Sequence, residues 1–244
     1  MLWGFFGVVH IVSLLISAGM IVGLYFLLRN RADRTKVLVL GILSFSGIAA
    51  ILFNLLTWDS PLEYLPFHLC SLAAMVLPFA VFTRSKVLNN LLLLWSLGAY
   101  LALVVNNAQA DYEILSWTFA FYYFPHTLEA GIPILMFALK LAKKDVKCIF
   151  STVGITFGAY TVIHFINLWI NDYCIANQLT DWAGDVIQVN YMYSIYPENP
   201  VMQLFYNILP HSYWYMFLAF AVILPYLACI YCKEIIGLFK KKNP

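Results

Sequence analysis

Apolar residues in this chain run in seven long stretches divided by short polar segments: residues 5–28, 37–56, 65–82, 87–107, 118–139, 148–170 and 210–236. About 20 mostly apolar residues in a helix cross the hydrocarbon core of a bilayer. The pattern therefore predicts an all-α polytopic membrane protein with seven transmembrane helices, the third being short for a full span. No linker, low-complexity tract or internal repeat interrupts it, so residues 1–244 read as a single domain with one long connection at 171–209.

Composition supports the membrane reading, with 63% hydrophobic and 11% charged residues and a mean hydropathy of +0.81. Charge then sets the expected topology. All fourteen Lys and Arg fall between Arg29 and Lys36, at Arg84 and Lys86, between Lys140 and Lys147, and between Lys233 and Lys242. These places follow the first, third, fifth and seventh stretches. The alternate loops, 57–64, 108–117 and 171–209, hold only acidic charges: Asp59, Glu63, Asp111, Glu113, Asp172, Asp181, Asp185 and Glu198. The positive-inside rule then puts the N-terminus outside and the C-terminus in the cytoplasm of a multi-pass protein. The first stretch has no basic residue before it and no small-residue cleavage site after it, so it reads as a retained helix and not a signal peptide. The net charge of +2 is a topology signal, and nucleic acid is not an expected partner.

All five histidines, His10, His68, His126, His164 and His211, fall in apolar stretches and, on this topology, toward the outer leaflet. An ionisable residue at such depth is by default a candidate for function. Hydrogen bonding of each ring to a carbonyl or hydroxyl is the plainer alternative. A polar stripe, Tyr160, His164, Asn167 and Asn171, recurs on one face of the sixth helix. Together with His10, Ser13 and Ser17 of the first helix, Asn54, and Asn106 and Asn107 at the end of the fourth, it lines either a headgroup pocket or a set of interhelical hydrogen bonds. In this reading the pocket residues are His68, His10, His164, Asn167, Asn171, His211 and Asn106.

The cysteines, Cys70, Cys148, Cys174, Cys229 and Cys232, form no disulfide framework of the secreted kind. Cys174 is expected to be exposed on the outer side, and helix packing is the simpler account of the Cys229-x-x-Cys232 pair. Cys70 differs. It follows Pro66 in Leu65-Pro66-Phe67-His68-Leu69-Cys70, and on a regular helix His68 would point about 200° away from it. A base for its thiol must then come from another helix. His126, after Pro125 where a bend is expected, stands three residues before Glu129, the one acid placed deep in a span. Residues at i and i+3 share a helix face, and a thiol activated by an imidazole with a nearby carboxylate is acyl-transfer chemistry. The candidate catalytic residues are thus Cys70, His126 and Glu129. A packed cysteine, a capping histidine and a protonated glutamate are the alternative.

The Leu65–Cys70 run, His126 and the later Asn190-Tyr191-Met192-Tyr193 and Pro197-Glu198-Asn199-Pro200 segments resemble the YwaF-like bacterial integral membrane proteins, themselves similar to animal transmembrane protein 164. The resemblance spans roughly residues 40–235. It implies a lipid acyltransferase with Cys70 as nucleophile and His126 as base, membrane phospholipids or lysophospholipids as partners, no cofactor, and a bacterial plasma membrane as setting. Where many bacterial members carry Gly-Pro-Trp-Pro-Trp-Tyr, this chain has Leu209-Pro210-His211-Ser212-Tyr213-Trp214-Tyr215, so His211 is a local departure. Two other classes stay open. One is a transporter or lipid-binding protein, for which broken midplane helices are expected. The other is a metal-dependent hydrolase, which requires His10, His68, His164 and His211 to converge. Oligomeric state is not legible.

Overall fold

The computed structural model describes residues 1–105 and 109–242. Each of the seven apolar stretches is helical, several in broken form. Helices α1 (Val8–Leu28), α2 (Asp33–Ser44), α3 (Ser46–Thr57), α4 (Leu69–Thr83), α5 (Lys86–Val104) and α6 (Trp117–Ala138) are followed by α7 (Cys148–Ala176), α8 (Pro200–Ile208), α9 (Phe220–Ile230) and α10 (Cys232–Lys242). Among the described residues four segments are long and apolar enough to cross a membrane: α1, α2 with α3, α5 and α7. α4 and the Trp214–Ile230 segment are apolar but shorter. α6 has 22 residues, yet its Trp, Tyr, His, Glu and two prolines lower its hydropathy below that of the four.

The second stretch is divided at Phe45. Ser44 Oγ donates to Gly41 O at 2.6 Å and Phe45 N to Ile42 O, tightening the turn, and hydroxyls that bond back to the preceding turn bend helices. α7 runs six residues past the predicted end at 170, because Asn171, Asp172 and Tyr173 continue the helix instead of opening the loop. The last stretch begins as a 3₁₀ helix, Trp214–Ala219, and is interrupted again at Tyr231. α4 starts at Leu69, so Pro66 lies in a bend before the helix and His68 is not a helical residue.

Two compact units are formed, one from Met1–Phe53 and Leu69–Lys144, the other from Asn54–His68 and the chain from Asp145 onward. In the first unit α6 packs on α1, α2, α4 and α5, and α4 also packs on α2 and α5. Apolar packing there is stitched by hydroxyls. Ser17 Oγ and Thr127 Oγ1 meet at 2.8 Å, and the Tyr123 hydroxyl donates to Ser13 O. Trp3 anchors the N-terminal segment, its Nε1 donating to Ser13 Oγ at 2.7 Å within a cluster of Leu103, Phe119 and Tyr123. Close approach is bought with glycine: a Cβ at Gly47 of α3 would stand 2.5 Å from Glu129 Oε1 and 2.6 Å from Ala74 Cβ.

In the second unit α7 holds a non-helical segment through its side chains. Asn171 Nδ2 donates to Val189 O at 3.0 Å while its Oδ1 accepts from Val189 N at 2.7 Å. Asn167 repeats the pattern on Tyr191, at 2.8 and 3.1 Å. Four helical residues rise about 6 Å and two extended residues about 6.6 Å, so amides at i and i+4 match alternate residues of an extended chain. The two asparagines thus act as rungs of a ladder that has no second strand. Asn190 then closes the turn beyond, accepting from the amides of Ile195 and Tyr196 and donating to Tyr196 O and Glu198 Oε1. That closure supports Met192 and Tyr193 at φ 52° and 55°, a region costly for residues with a side chain.

Replacing Asn167 or Asn171 by Ala leaves one N–H and one C=O without their partner. The expected cost is roughly 1–3 kcal/mol, read as a lower unfolding temperature and as faster amide exchange across 187–194, with α4 to α6 unchanged. Gly47→Val is expected to destabilise the first unit by roughly 1–3 kcal/mol. The Glu129 carboxyl can swing aside but Ala74 cannot, so Gly47→Val with Ala74→Gly should recover part of the loss in the same thermal assay.

Candidate functional site

Cys70 is the second residue of α4, in the turn whose backbone N–H groups lack helical partners and where the helix dipole is positive. α4 packs directly on α6, which carries His126 and Glu129. Three of the residues singled out from sequence are therefore on two touching helices of one unit. Glu129 lies three residues beyond His126 on α6. It is 5% exposed and its Oε2 has no hydrogen-bond partner among the described residues. Its Oε1 and Ala74, one turn after Cys70, converge on Gly47.

His126 is oriented from its own helix. Its Nδ1 lies 2.7 Å from Tyr122 O, and because a carbonyl only accepts, Nδ1 carries the proton and Nε2 keeps its lone pair. The Tyr122 ring lies against the imidazole at 4.3 Å. Pro125, which has no N–H to give the preceding turn, stands between them inside an unbroken α6. The i, i+3 spacing of His126 and Glu129 places them on neighbouring positions, but the imidazole turns toward Tyr122 and the carboxyl toward Gly47. Tyr122 was not legible as the partner of His126, since its contribution is a backbone oxygen; the Tyr-x-x-Pro-His spacing was its only trace.

His10 is fully buried, with both nitrogens in use. Phe6 N donates to Nδ1 at 3.0 Å, and Nε2 donates to Leu103 O at 2.8 Å. It ties the N-terminal segment to α1 and the end of α5. In the second unit His68 is half-buried, its ring 5.3 Å from that of Tyr191 and 5.5 Å from that of Tyr193. His164 Nδ1 meets Ser194 Oγ at 3.0 Å, and the same oxygen accepts from Asn167 Nδ2 at 2.9 Å. Tyr160 donates to Tyr213 O at 2.7 Å. The stripe Tyr160, His164, Asn167 and Asn171 is thus one face, as its spacing predicts, and each member holds the 189–194 or Tyr213 segment. His211 is exposed. Asn106 and Asn107 lie outside the described residues.

Two cysteine expectations change. Cys174, expected to be exposed, is fully buried because α7 continues beyond it. Cys229 and Cys232 are exposed, flanking the break at Tyr231, and are not packed inside. Among the described residues no group of three or more His, Cys, Asp or Glu is placed to hold a metal ion.

No curated protein and no solved structure matches the chain. The TMEM164 family model matches residues 5–231, nearly the whole length. With its membrane-crossing helices and this match, the chain belongs to the TMEM164 family of integral membrane proteins.

Proposed function

We propose that this protein is a lipid acyltransferase or lipid hydrolase in which Cys70 is the nucleophile and His126 the base. The supporting observation is that α4, with Cys70 in its first turn, packs on α6, whose His126 has Nδ1 committed to Tyr122 O and Nε2 left to accept a proton. The family resemblance supplies the substrate class, a phospholipid.

In this reading the Cys70 S–H proton passes to His126 Nε2 as sulfur attacks the ester carbonyl of the lipid. The carbon–oxygen bond breaks, the lysolipid leaves with the proton from His126, and the acyl group remains as a thioester. A lysophospholipid hydroxyl or water then attacks that thioester, giving its proton to His126 and restoring the thiol. The first acceptor makes the reaction a transfer, the second a hydrolysis. The free amide N–H groups of the first turn of α4, where Cys70 stands, favour negative charge on sulfur. Glu129 is a buried carboxyl on the helix that carries His126, and it does not take the orienting position that Tyr122 O fills. The setting is a bacterial plasma membrane, crossed seven times, with the N-terminus outside.

Purified wild-type protein incubated with phospholipid vesicles should carry a hydroxylamine-sensitive acyl mass on Cys70. Cys70→Ala should lack it, and His126→Ala should lower its formation by about 100-fold or more, in line with loss of a general base. Intact mass spectrometry with analysis of the lipid products reads this; turnover surviving both substitutions overturns the assignment. For the topology, reporters fused after residues 113 and 185 should behave as exported and those after 145 and 242 as cytoplasmic.

A further inference from the structure

α8 has nine residues, under half of the about 20 that cross a bilayer, and none is charged. It is nevertheless firmly begun, with Asn199 accepting from Met202 N at 3.0 Å and Pro200 at the first position. Successive residues turn by about 100°, which sorts its side chains into three sectors. Met202, Phe205 and Tyr206 are half-buried, Tyr206 meeting the Tyr215 ring edge-on at 5.5 Å. Gln203 and Asn207 share a hydrogen bond of 2.9 Å on a second side. Val201, Leu204 and Ile208, at i, i+3 and i+7, form the third and are 56, 57 and 64% exposed.

We propose that α8 lies in the plane of the membrane surface, with Val201, Leu204 and Ile208 among the upper acyl chains and Gln203 and Asn207 toward water. An uncovered apolar arc beside a polar one is the mark of an interfacial helix. The occupant is lipid because α8 leads, six residues after Ile208, into the apolar Trp214–Ile230 segment, whose Trp214, Val222 and Leu224 are likewise uncovered. Without Lys or Arg, α8 gains nothing from anionic headgroups, so the contact is with acyl chains and not with lipid charge. Through Tyr215, whose hydroxyl donates to the carbonyls of Tyr193 and Tyr196, the helix also seats the 190–196 turn at the membrane surface. This inference depends on membrane insertion and not on acyl transfer.

The test uses the full chain reconstituted in vesicles of phosphatidylcholine, and of phosphatidylcholine with phosphatidylglycerol, with a fluorescent amino acid in place of residue 203, 204, 207 or 208. Probes at 204 and 208 should be quenched several-fold more by bromines on the upper acyl carbons than by aqueous iodide, equally in both lipids. Probes at 203 and 207 should show the reverse. Iodide quenching at 204 equal to that at 203 overturns the proposal, as does strongest quenching by bromines at the chain ends. Protection from both quenchers with cross-links between chains at 204 also overturns it, assigning the face to a second copy.

Discussion

Where the bilayer or the protein itself excludes water, nothing else can take up a stray backbone N–H or C=O, so every buried departure from regular helix requires a partner inside the protein. The polar side chains of this chain are placed largely by that requirement. Asn167 and Asn171 complete the hydrogen bonds of Tyr191 and Val189, His10 those of Phe6 and Leu103, and Asn190 those of the 195–198 turn. An amide side chain suits the task because it offers a donor and an acceptor side by side, the same pair that a neighbouring strand would present.

The same logic separates polar residues that hold structure from those left with capacity to react. His10 has no nitrogen to spare, and Asn167 and Asn171 have their amides engaged on both sides. Among the described residues His126 uses one nitrogen, and Glu129 keeps an oxygen unmatched in a buried position. Leaving a buried acceptor unmatched is expensive, and here it coincides with a cysteine on the adjoining helix. The stretch of α6 between Tyr122 and Glu129 therefore carries spare polar capacity in the first unit.

Sequence pattern made the helices legible because apolar runs of this length have one solution in a bilayer. The breaks at Phe45 and Tyr231 were not, since they arise from local turns inside runs that remain apolar throughout. Spacing revealed the α7 stripe as a face but not its use: a pocket wall and a row of amide rungs have the same periodicity. Cys70 and His126 were legible as candidates from residue type and neighbouring prolines. That His68 precedes α4 was not, because the start of a helix after proline depends on where the turn at Phe67 closes. Tyr122 was hidden for a simpler reason, as a backbone oxygen leaves no signature in composition.

The length of α7 has a consequence for the choice of membrane. At 29 residues it extends about 43 Å, well beyond a hydrocarbon thickness of about 30 Å. The surplus must be taken up by tilt or by overhang, and Asn167 and Asn171 sit in its last third. A thicker or thinner bilayer would change how far that end projects without touching the rungs themselves. The attached turn would rise or sink with the helix as one piece, so bilayer thickness would set its height above the acyl chains.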